Sequence, residues 1–146
     1  LEPSHIQVLS LLKSMDDLNL LIVGNACSGK TSLMYAIIRE YYGMNETAPF
    51  PEYNIMMINN LKEQGIQYFR TEMKTFCQTH SSIHNKKKMV IIDDLDTISE
   101  QSQQVFRNCI DKYSHNVQFI ASCSNSQKVI ESLQSRLDYW WEYESS

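Results

Sequence analysis

The octet at positions 24 to 31, GNACSGKT, combines glycines, a lysine and a hydroxyl residue at the spacing of a phosphate-binding loop. In such a loop, backbone N–H groups turn inward and hold phosphate oxygens. Gly24 and Gly29 would permit the close turns of the backbone. Lys30 would reach the outer phosphates, and the Thr31 hydroxyl would coordinate Mg²⁺. A flexible surface turn gives no reason for a Lys-Thr pair that opens a helix, so the pattern favours a phosphate site. The predicted binding residues are Gly24, Asn25, Ala26, Cys27, Ser28, Gly29, Lys30, Thr31 and Ser32.

A second group of candidate residues follows a short apolar run, in KMVIIDDLD at positions 88 to 96. An unbroken apolar run of this length is typical of a strand buried on both faces. Asp93 and Asp94 would then lie at the carboxyl edge of a parallel sheet, where ligands bind in open α/β folds. There Asp93 would hold Mg²⁺ through water, and Asp94 would act as general base for an attacking water. The alternative is that the acidic cluster caps the next helix, a role that Asp96 or Ser99 suits better.

The phosphate-binding loop and the aspartates can meet only if a sheet brings the ends of their strands together. The sequence has the pattern of such a sheet. Short apolar runs alternate with longer segments of helical period, which predicts a parallel sheet with crossover helices. The predicted strands are Asn19 to Val23, Tyr53 to Ile58, Met89 to Ile92, Val117 to Ser122 and Leu137 to Trp141. Three predicted helices have apolar stripes at positions 33–41, 66–76 and 105–113, and a further helix is predicted at 4–15. The fold class is therefore α/β, with a five-stranded parallel sheet flanked by helices.

Composition limits the classes of function. The 146 residues, 42% of them hydrophobic, suffice for one domain with a real core. A net charge of −4 excludes nucleic-acid binding through bulk positive charge, so any such contact must be local. The four cysteines lack metal-ligand spacing, which argues against zinc and against a disulfide framework. No apolar run approaches the roughly 20 residues of a membrane span, and the N-terminus lacks the basic and apolar regions of a signal peptide, so an intracellular, reducing environment is predicted. The loop SSIHNKKK at 81–88 is interpreted as a solvated turn rather than a DNA contact.

Five stretches, in this order and spacing, resemble one family. They are GNACSGKT, MINNLKEQGI followed by QYFR from position 57, VIIDDLD, DKYSHNVQFIASCSN from position 111, and LQSR at 133 to 136. Together they resemble the ATPase domain of a small subunit of replication factor C, the AAA+ loader of the sliding clamp. The resemblance runs from about Gln7 to Leu137. It implies a three-layer P-loop NTPase fold of the AAA+ type, with residues 1–146 as the ATPase core and the family's lid and collar domains absent from this chain.

The resemblance also implies roles for residues that match the family's motifs. ATP and Mg²⁺ would be the cofactors. Asn125, after the fourth strand, corresponds to the sensor that orients the lytic water. Arg136 matches the arginine finger that acts in trans on the nucleotide of a neighbouring subunit, where its charge would stabilise the transferring phosphoryl group. Ile66 and Arg70 match the positions at which the family follows the DNA backbone.

Two departures from the family pattern bear on activity. The family has Asp-Glu after the third strand, whereas this chain has Asp93 and Asp94. The shorter side chain of Asp94 would stand about one methylene further from the water, which implies slow or lost hydrolysis. The usual Arg-Gly-Ile at the start of the DNA-tracking helix is Gln64, Gly65 and Ile66 here. One positive charge is therefore missing, and DNA contact would be weaker.

The implied partners are the other clamp-loader subunits, pentameric in the family, the sliding clamp, and primer-template DNA through the assembled complex, with no membrane. The implied location is intracellular, at replication sites: the nucleus if the source is eukaryotic, the cytoplasm if it is archaeal or a viral factory. One alternative is a non-hydrolysing structural subunit that binds ATP and donates Arg136 to its neighbour. Another is an AAA+ replication factor for origin binding or helicase loading, which the LKEQGI and QSR stretches argue against. Asp94 is the residue that distinguishes a hydrolysing subunit from a structural one.

Overall fold

The computed structural model describes residues 19–24, 30–45, 47–58, 65–137 and 139–142. Its strands are β1 (Leu20–Val23), β2 (Ile55–Ile58), β3 (Lys88–Ile92), β4 (Val117–Cys123) and β5 (Tyr139–Glu142). Its α-helices are α1 (Lys30–Tyr42), α2 (Gly65–Gln78), α3 (Glu100–Tyr113) and the short α4 (Glu131–Gln134). Two 3₁₀ turns span Leu95–Thr97 and Ser126–Lys128. The helix predicted at positions 4–15 lies outside the described residues.

The strands form one parallel sheet, which confirms the predicted five-stranded parallel sheet. The order is β2-β3-β4-β1-β5, and every neighbouring pair runs parallel. Each strand begins and ends within two residues of the predicted positions. Because β4 lies between β3 and β1, the residues that follow these three strands meet along one edge of the sheet. The phosphate-binding loop and the two aspartates Asp93 and Asp94 were predicted to lie at this carboxyl edge.

Helices cover both faces of the sheet, and along β1, β3 and β4 successive residues, which point to opposite faces, are nearly all buried. One face packs under α1, whose Leu33, Met34, Ile37 and Ile38 are buried. The other face packs under α2, α3 and α4, where Phe119 of β4 meets Phe106 of α3 with ring centroids 5.3 Å apart. The predicted stripes of α1 and α3 are thus core faces. Among the described helices, none is long and apolar enough to cross a membrane.

Lys88 corrects the interpretation of the 81–88 loop as solvated throughout. It is the first residue of β3 and only 1% exposed. Its ammonium donates hydrogen bonds to the carbonyl of Phe76 and the hydroxyl of Thr79, and it lies 3.8 Å from the centroid of the Phe76 ring. The cation therefore lies at the C-terminal end of α2, where carbonyl groups lacking helical partners favour positive charge.

We expect Lys88 to make stability depend on pH in the alkaline range. Burial lowers the pKa of Lys88 from its ordinary 10.5, an effect that the nearby Cys77 opposes. At pH values between the folded-state pKa and the higher unfolded-state pKa of Lys88, this site binds more protons in the unfolded chain than in the folded one. The contribution of Lys88 to the free energy of unfolding therefore increases as pH rises. Burial raises the pKa of Cys123 and of Tyr42, and these groups act in the opposite direction.

Lys88→Met removes the lysine contribution and leaves the other two groups in place. The free energy of unfolding, measured by urea denaturation at intervals between about pH 8 and 10, should therefore rise more steeply with pH in the wild type than in Lys88→Met. Parallel pH profiles for the two proteins would contradict the expectation, because they would mean that Lys88 titrates alike in the folded and unfolded states.

Candidate functional site

Lys30 is buried at the point where β1, β4 and α1 meet. It is the first residue of α1 and is 5% exposed. Its ammonium donates to the carbonyl of Gly24, to that of Cys123 at 3.3 Å, and to Ser124 Oγ at 3.1 Å. These acceptors are neutral, and the start of a helix adds positive potential. A buried cation with neutral acceptors at a helix N-terminus attracts an anion, as the phosphate-site prediction requires.

Only part of the predicted loop belongs to the described residues. Gly24 directly follows β1, and its N–H donates to the carbonyl of Cys123 at 3.0 Å, which brings the start of the loop against β4. Ser32 is exposed in the first turn of α1, and the backbone of Thr31 lies in the same turn. The side chain of Thr31 and the whole of positions 25–29 lie outside the described residues, so the roles predicted for Asn25, Ala26, Cys27, Ser28, Gly29 and Thr31 stay predictions.

Asp93 is placed by the register between β3 and β4. Ile92 pairs with Ala121, so the next residues along, Asp93 and Ser122, face each other across the two strands. Ser122 Oγ donates a hydrogen bond to Asp93 Oδ1, and the Asp93 N–H donates to the carbonyl of Ile58 at 3.2 Å. A partly exposed carboxylate at this edge has the hard oxygen atoms that Mg²⁺ prefers.

Asp94 has an uncommon backbone conformation. Its φ of 55° and ψ of 51° lie in the left-handed region, which aspartate tolerates better than most residues other than glycine. Its N–H donates to Ser122 Oγ at 3.2 Å. Partial burial and, next, the charge of Asp93 raise the pKa of Asp94, while Lys30 opposes the shift. Lys30, Asp93 and Asp94 are therefore close enough to interact electrostatically. A raised pKa also suits a group that accepts a proton.

The acidic cluster was alternatively interpreted as a helix cap, but the cap of α3 is Ser99. Ser99 is the N-cap of α3, and its hydroxyl oxygen accepts a hydrogen bond from the Ser102 N–H at 3.2 Å. Asp94 precedes the 3₁₀ turn Leu95–Thr97, but its side chain makes no capping hydrogen bond. The carboxylate of Asp94 is exposed and available for another role.

Asp96 has a positioning role that the sequence did not indicate. Its Oδ2 accepts hydrogen bonds from the backbone N–H groups of Ser124, at 3.3 Å, and Asn125, at 3.0 Å. The carboxylate thus joins the 3₁₀ turn after β3 to the segment after β4. This contact holds the Ser124 hydroxyl beside Lys30.

Asn125, predicted as the water-orienting sensor, lies in the same segment but makes a local contact. It caps the 3₁₀ turn Ser126–Lys128, and its Oδ1 accepts from the Gln127 N–H at 3.0 Å. The neighbouring Ser124 contacts Lys30 instead. The sensor role of Asn125 stays a prediction, and Ser124 is a second candidate. Ser122 and Ser124 were missed in the sequence, where their signal is two hydroxyl residues at alternate positions directly after the apolar run 119–121.

Arg136 lies away from this edge, just after α4. Its Nε donates to the two carboxylate oxygens of Asp111 at 2.9 and 3.1 Å, and its Nη1 donates to the carbonyl of Ser132 at 2.8 Å. Arg136 lines a groove of about 500 Å³. The same groove is lined by residues that precede or begin β1, β3 and β4, namely Asn19, Lys87 and Val117. Arg136 is therefore at the amino edge of the sheet, opposite the edge that holds Lys30.

The predicted DNA-tracking residues lie on α2. Arg70 is exposed and lines a groove of about 590 Å³ between α2 and α3. Lys74 of α2 and Lys112 of α3 line the same groove. Ile66 lies near the start of α2, but its side chain is outside the described residues. The groove is locally basic on a chain whose net charge is −4.

Comparison with known proteins identifies relatives in DNA replication. Replication factor C small subunits from Sulfolobus acidocaldarius and Halobacterium salinarum are 32% and 33% identical to this chain over 118 and 135 residues. These matches cover 81% and 92% of this chain but 35% and 40% of the relatives. Replication factor C subunit 3 from Schizosaccharomyces pombe is 31% identical over 137 residues, which is 91% of this chain and 39% of that protein. The chain thus spans about two fifths of the length of these relatives.

Solved structures with the same fold include two bacterial proteins. A DNA polymerase III gamma subunit-related protein from Thermotoga maritima has a TM-score of 0.71, with 14% identity over 93% of this chain and 44% of that one. A RuvB variant from the same organism has a TM-score of 0.64, with 14% identity over 94% of this chain and 42% of that one. At this identity the likeness concerns the fold alone, and it confirms the predicted P-loop NTPase class.

A family model describes the sequence over most of its length. The model for the ATPase family associated with various cellular activities (AAA) matches residues 20–143. The match includes every described strand and helix, from β1 to β5. The predicted resemblance to replication factor C small subunits is confirmed by the curated relatives. The chain belongs to the AAA family of ATPases, whose members bind nucleotides.

Proposed function

We propose that this chain is the nucleotide-binding core of a clamp-loader subunit, which binds ATP with Mg²⁺ and, within an oligomer, uses it to load a sliding clamp onto primer-template DNA. The observation that carries the proposal is the convergence of Lys30, Asp93 and Asp94 at the carboxyl edge of the sheet. The similarity to replication factor C small subunits selects clamp loading among the functions of AAA proteins.

The residues at this edge fit the phosphates of a nucleotide and a magnesium ion. Lys30 offers a buried ammonium at the start of α1, and the acceptors of its hydrogen bonds are all neutral. The predicted Thr31 hydroxyl would coordinate Mg²⁺ directly and the Asp93 carboxylate would hold it through water, and both supply the oxygen atoms that Mg²⁺ prefers. Bound Mg²⁺ would neutralise the charge of the phosphate oxygens during phosphoryl transfer. Asp94 would accept the proton of the attacking water.

The position of Arg136 supports an oligomer in which subunits meet head to tail. Lys30 and Arg136 lie at opposite edges of the same sheet, so one copy cannot bring both to one nucleotide. A heterologous interface, in which the amino edge of one subunit faces the carboxyl edge of the next, would bring Arg136 to its neighbour's phosphates. This arrangement supports an oligomer, which the resemblance to clamp loaders makes a pentamer, and the action of Arg136 in trans.

The basic groove supports contact with DNA through the assembled complex. Arg70, Lys74 and Lys112 line it together with the amides of Gln101 and Gln104, and its described lining includes no acidic residue. Three cations are too few to hold DNA against physiological salt in one copy, but the same face repeated along an oligomer would contact several phosphates. Such a complex would work at intracellular replication sites.

The structural-subunit alternative is favoured by one feature, the aspartate at position 94. In the assembled complex we expect Asp94→Glu to raise ATP turnover, because the longer side chain brings the base nearer the water. Asp94→Asn should lower turnover, and it is a matched control because asparagine tolerates the left-handed conformation as well as aspartate does. Turnover would be measured by phosphate release with saturating clamp and primed DNA.

The same assay tests the function as a whole. Clamp and primed DNA together should stimulate the turnover of the wild-type complex, and the clamp should remain on circular primed DNA only after incubation with ATP. Equal turnover for wild type, Asp94→Glu and Asp94→Asn would favour the structural subunit. A complex that binds ATP but neither responds to the clamp nor retains it on DNA would contradict clamp loading.

A further inference from the structure

Ser122 is a buried hydroxyl that joins the two aspartates of the site. It lies in β4, one residue before the strand ends, and is 0% exposed. Its Oγ donates a hydrogen bond to Asp93 Oδ1 and accepts one, at 3.2 Å, from the Asp94 N–H. One side chain on a central strand thus contacts both the carboxylate of one aspartate and the backbone of the next.

The hydrogen bonds of the Ser122 hydroxyl differ from those of an ordinary buried serine. A hydroxyl has a single hydrogen to donate, and here that hydrogen goes to a carboxylate on the neighbouring strand. This contact fixes the orientation of the Asp93 carboxylate, because Oδ1 is held on the β4 side. The Asp94 N–H is held by the same oxygen, in the segment where the backbone is left-handed. Removing the hydroxyl would leave the Asp93 carboxylate and the Asp94 N–H, which are both in partly buried contacts, without this partner.

The position of Ser122 in the sheet explains why it can fix the orientation of Asp93. It belongs to β4, which pairs with both β1 and β3, and its place opposite Asp93 is set by the strand register. Outer-shell groups that hydrogen-bond the residues around a metal ion fix the orientation of those residues, and their removal typically changes metal affinity by about 10- to 100-fold. A side chain on a central strand is more rigid than one on a loop, so the orientation it imposes is well defined.

We infer that Ser122 is a positioning residue that orients Asp93 toward the magnesium ion and holds the backbone of Asp94 in its left-handed conformation. The inference rests on the proposed function, since it assigns Ser122 a role toward the ion that accompanies the nucleotide. Ser122 is fully buried, and its hydroxyl contacts the two aspartates. Its effect should therefore appear only where Mg²⁺ takes part.

The experiment compares nucleotide binding with and without Mg²⁺. The full-length protein is titrated calorimetrically with a non-hydrolysable ATP analogue, once in Mg²⁺ and once in EDTA. In Ser122→Ala we expect the gain in affinity that Mg²⁺ confers to fall by about tenfold or more, with affinity in EDTA unchanged. Ser122→Thr keeps the hydroxyl and should retain most of that gain. Ser102→Ala, which removes another buried serine hydroxyl at the start of α3, should behave as wild type.

A second variant keeps the test decisive if Ser122→Ala does not fold. Ser122→Cys keeps the shape of the side chain at a slightly larger size but replaces the hydroxyl by a weak donor, and it should show the same loss of the Mg²⁺-dependent gain. An unchanged gain in the folded variants, or an equal fall in Mg²⁺ and in EDTA, would overturn the inference, because either result describes a purely structural serine. Failure of the wild-type protein to bind the analogue at all would contradict the proposed function instead.

Discussion

Lys30→Ala is expected to weaken the binding of ATP with Mg²⁺ by about 100-fold or more. Lys30 is buried, and the carbonyls and hydroxyl that hold its ammonium do not neutralise the charge. Removal of one partner from a buried pair of charges costs about 3–5 kcal/mol, which corresponds to at least two orders of magnitude in affinity. Isothermal titration calorimetry of the full-length protein with ATP and Mg²⁺ measures the effect.

The control for this expectation is an exposed lysine in the segment that follows β4. Lys128 ends the second 3₁₀ turn and is exposed, so Lys128→Ala should bind nucleotide as the wild type does. Urea denaturation of Lys30→Ala, at the temperature of the titration, shows whether the variant is folded. If folded Lys30→Ala binds ATP with wild-type affinity, the assignment of a phosphate site to positions 24–32 is wrong.

Arg136→Ala should lower ATP hydrolysis at the adjacent subunit by about 10³- to 10⁵-fold, the range observed for arginine fingers. The affinity of the variant subunit for its own nucleotide should change little, because Arg136 is at the amino edge of the sheet and Lys30 at the carboxyl edge. Turnover of the assembled complex and nucleotide affinity of the free subunit are measured separately. Unchanged affinity together with lost turnover assigns Arg136 to hydrolysis rather than to binding, and its place at the amino edge then assigns the effect to the nucleotide of the neighbouring subunit.

Two variants make the arginine test specific. Arg136→Lys keeps a positive charge but loses the planar fork, and most of the turnover should be lost with it. Arg107→Ala removes another partly exposed arginine, on α3, and should leave turnover unchanged. The ion pair of Arg136 with Asp111 joins partly exposed groups and adds little to stability, so Arg136→Ala should unfold near the wild-type midpoint. Full activity of the Arg136→Ala complex would mean that this arginine is an ordinary surface residue.

The sheet could be predicted because each strand is a short apolar run with a polar boundary. The last strand begins two residues later than predicted, at Tyr139. Leu137, predicted as its first residue, instead packs into the core beside α4 and is 5% exposed. A buried leucine just before a strand looks the same in the sequence as the first residue of that strand, so the boundary could not be located.

The contacts between strands in the candidate site could not be predicted from the sequence. Asp93 and Asp94 were predictable because they directly follow an apolar strand. Ser122 was not, because its contact with Asp93 depends on the register of β3 against β4, which a single strand does not specify. Lys88 was misjudged for a similar reason: its acceptors belong to the end of α2, and a lysine is rarely buried without such partners.

Hydrogen bonds cross in both directions between the residues after β3 and the end of β4. Asp96 accepts from the backbone of Ser124 and Asn125, while Ser122 donates to Asp93 and accepts from Asp94. Neither segment can open without breaking bonds that hold the other, so the two form one cooperative unit in local unfolding. A displacement of the segment beside Lys30, whether imposed by bound phosphate or by a neighbouring subunit, is therefore transmitted to the backbone that carries the two aspartates.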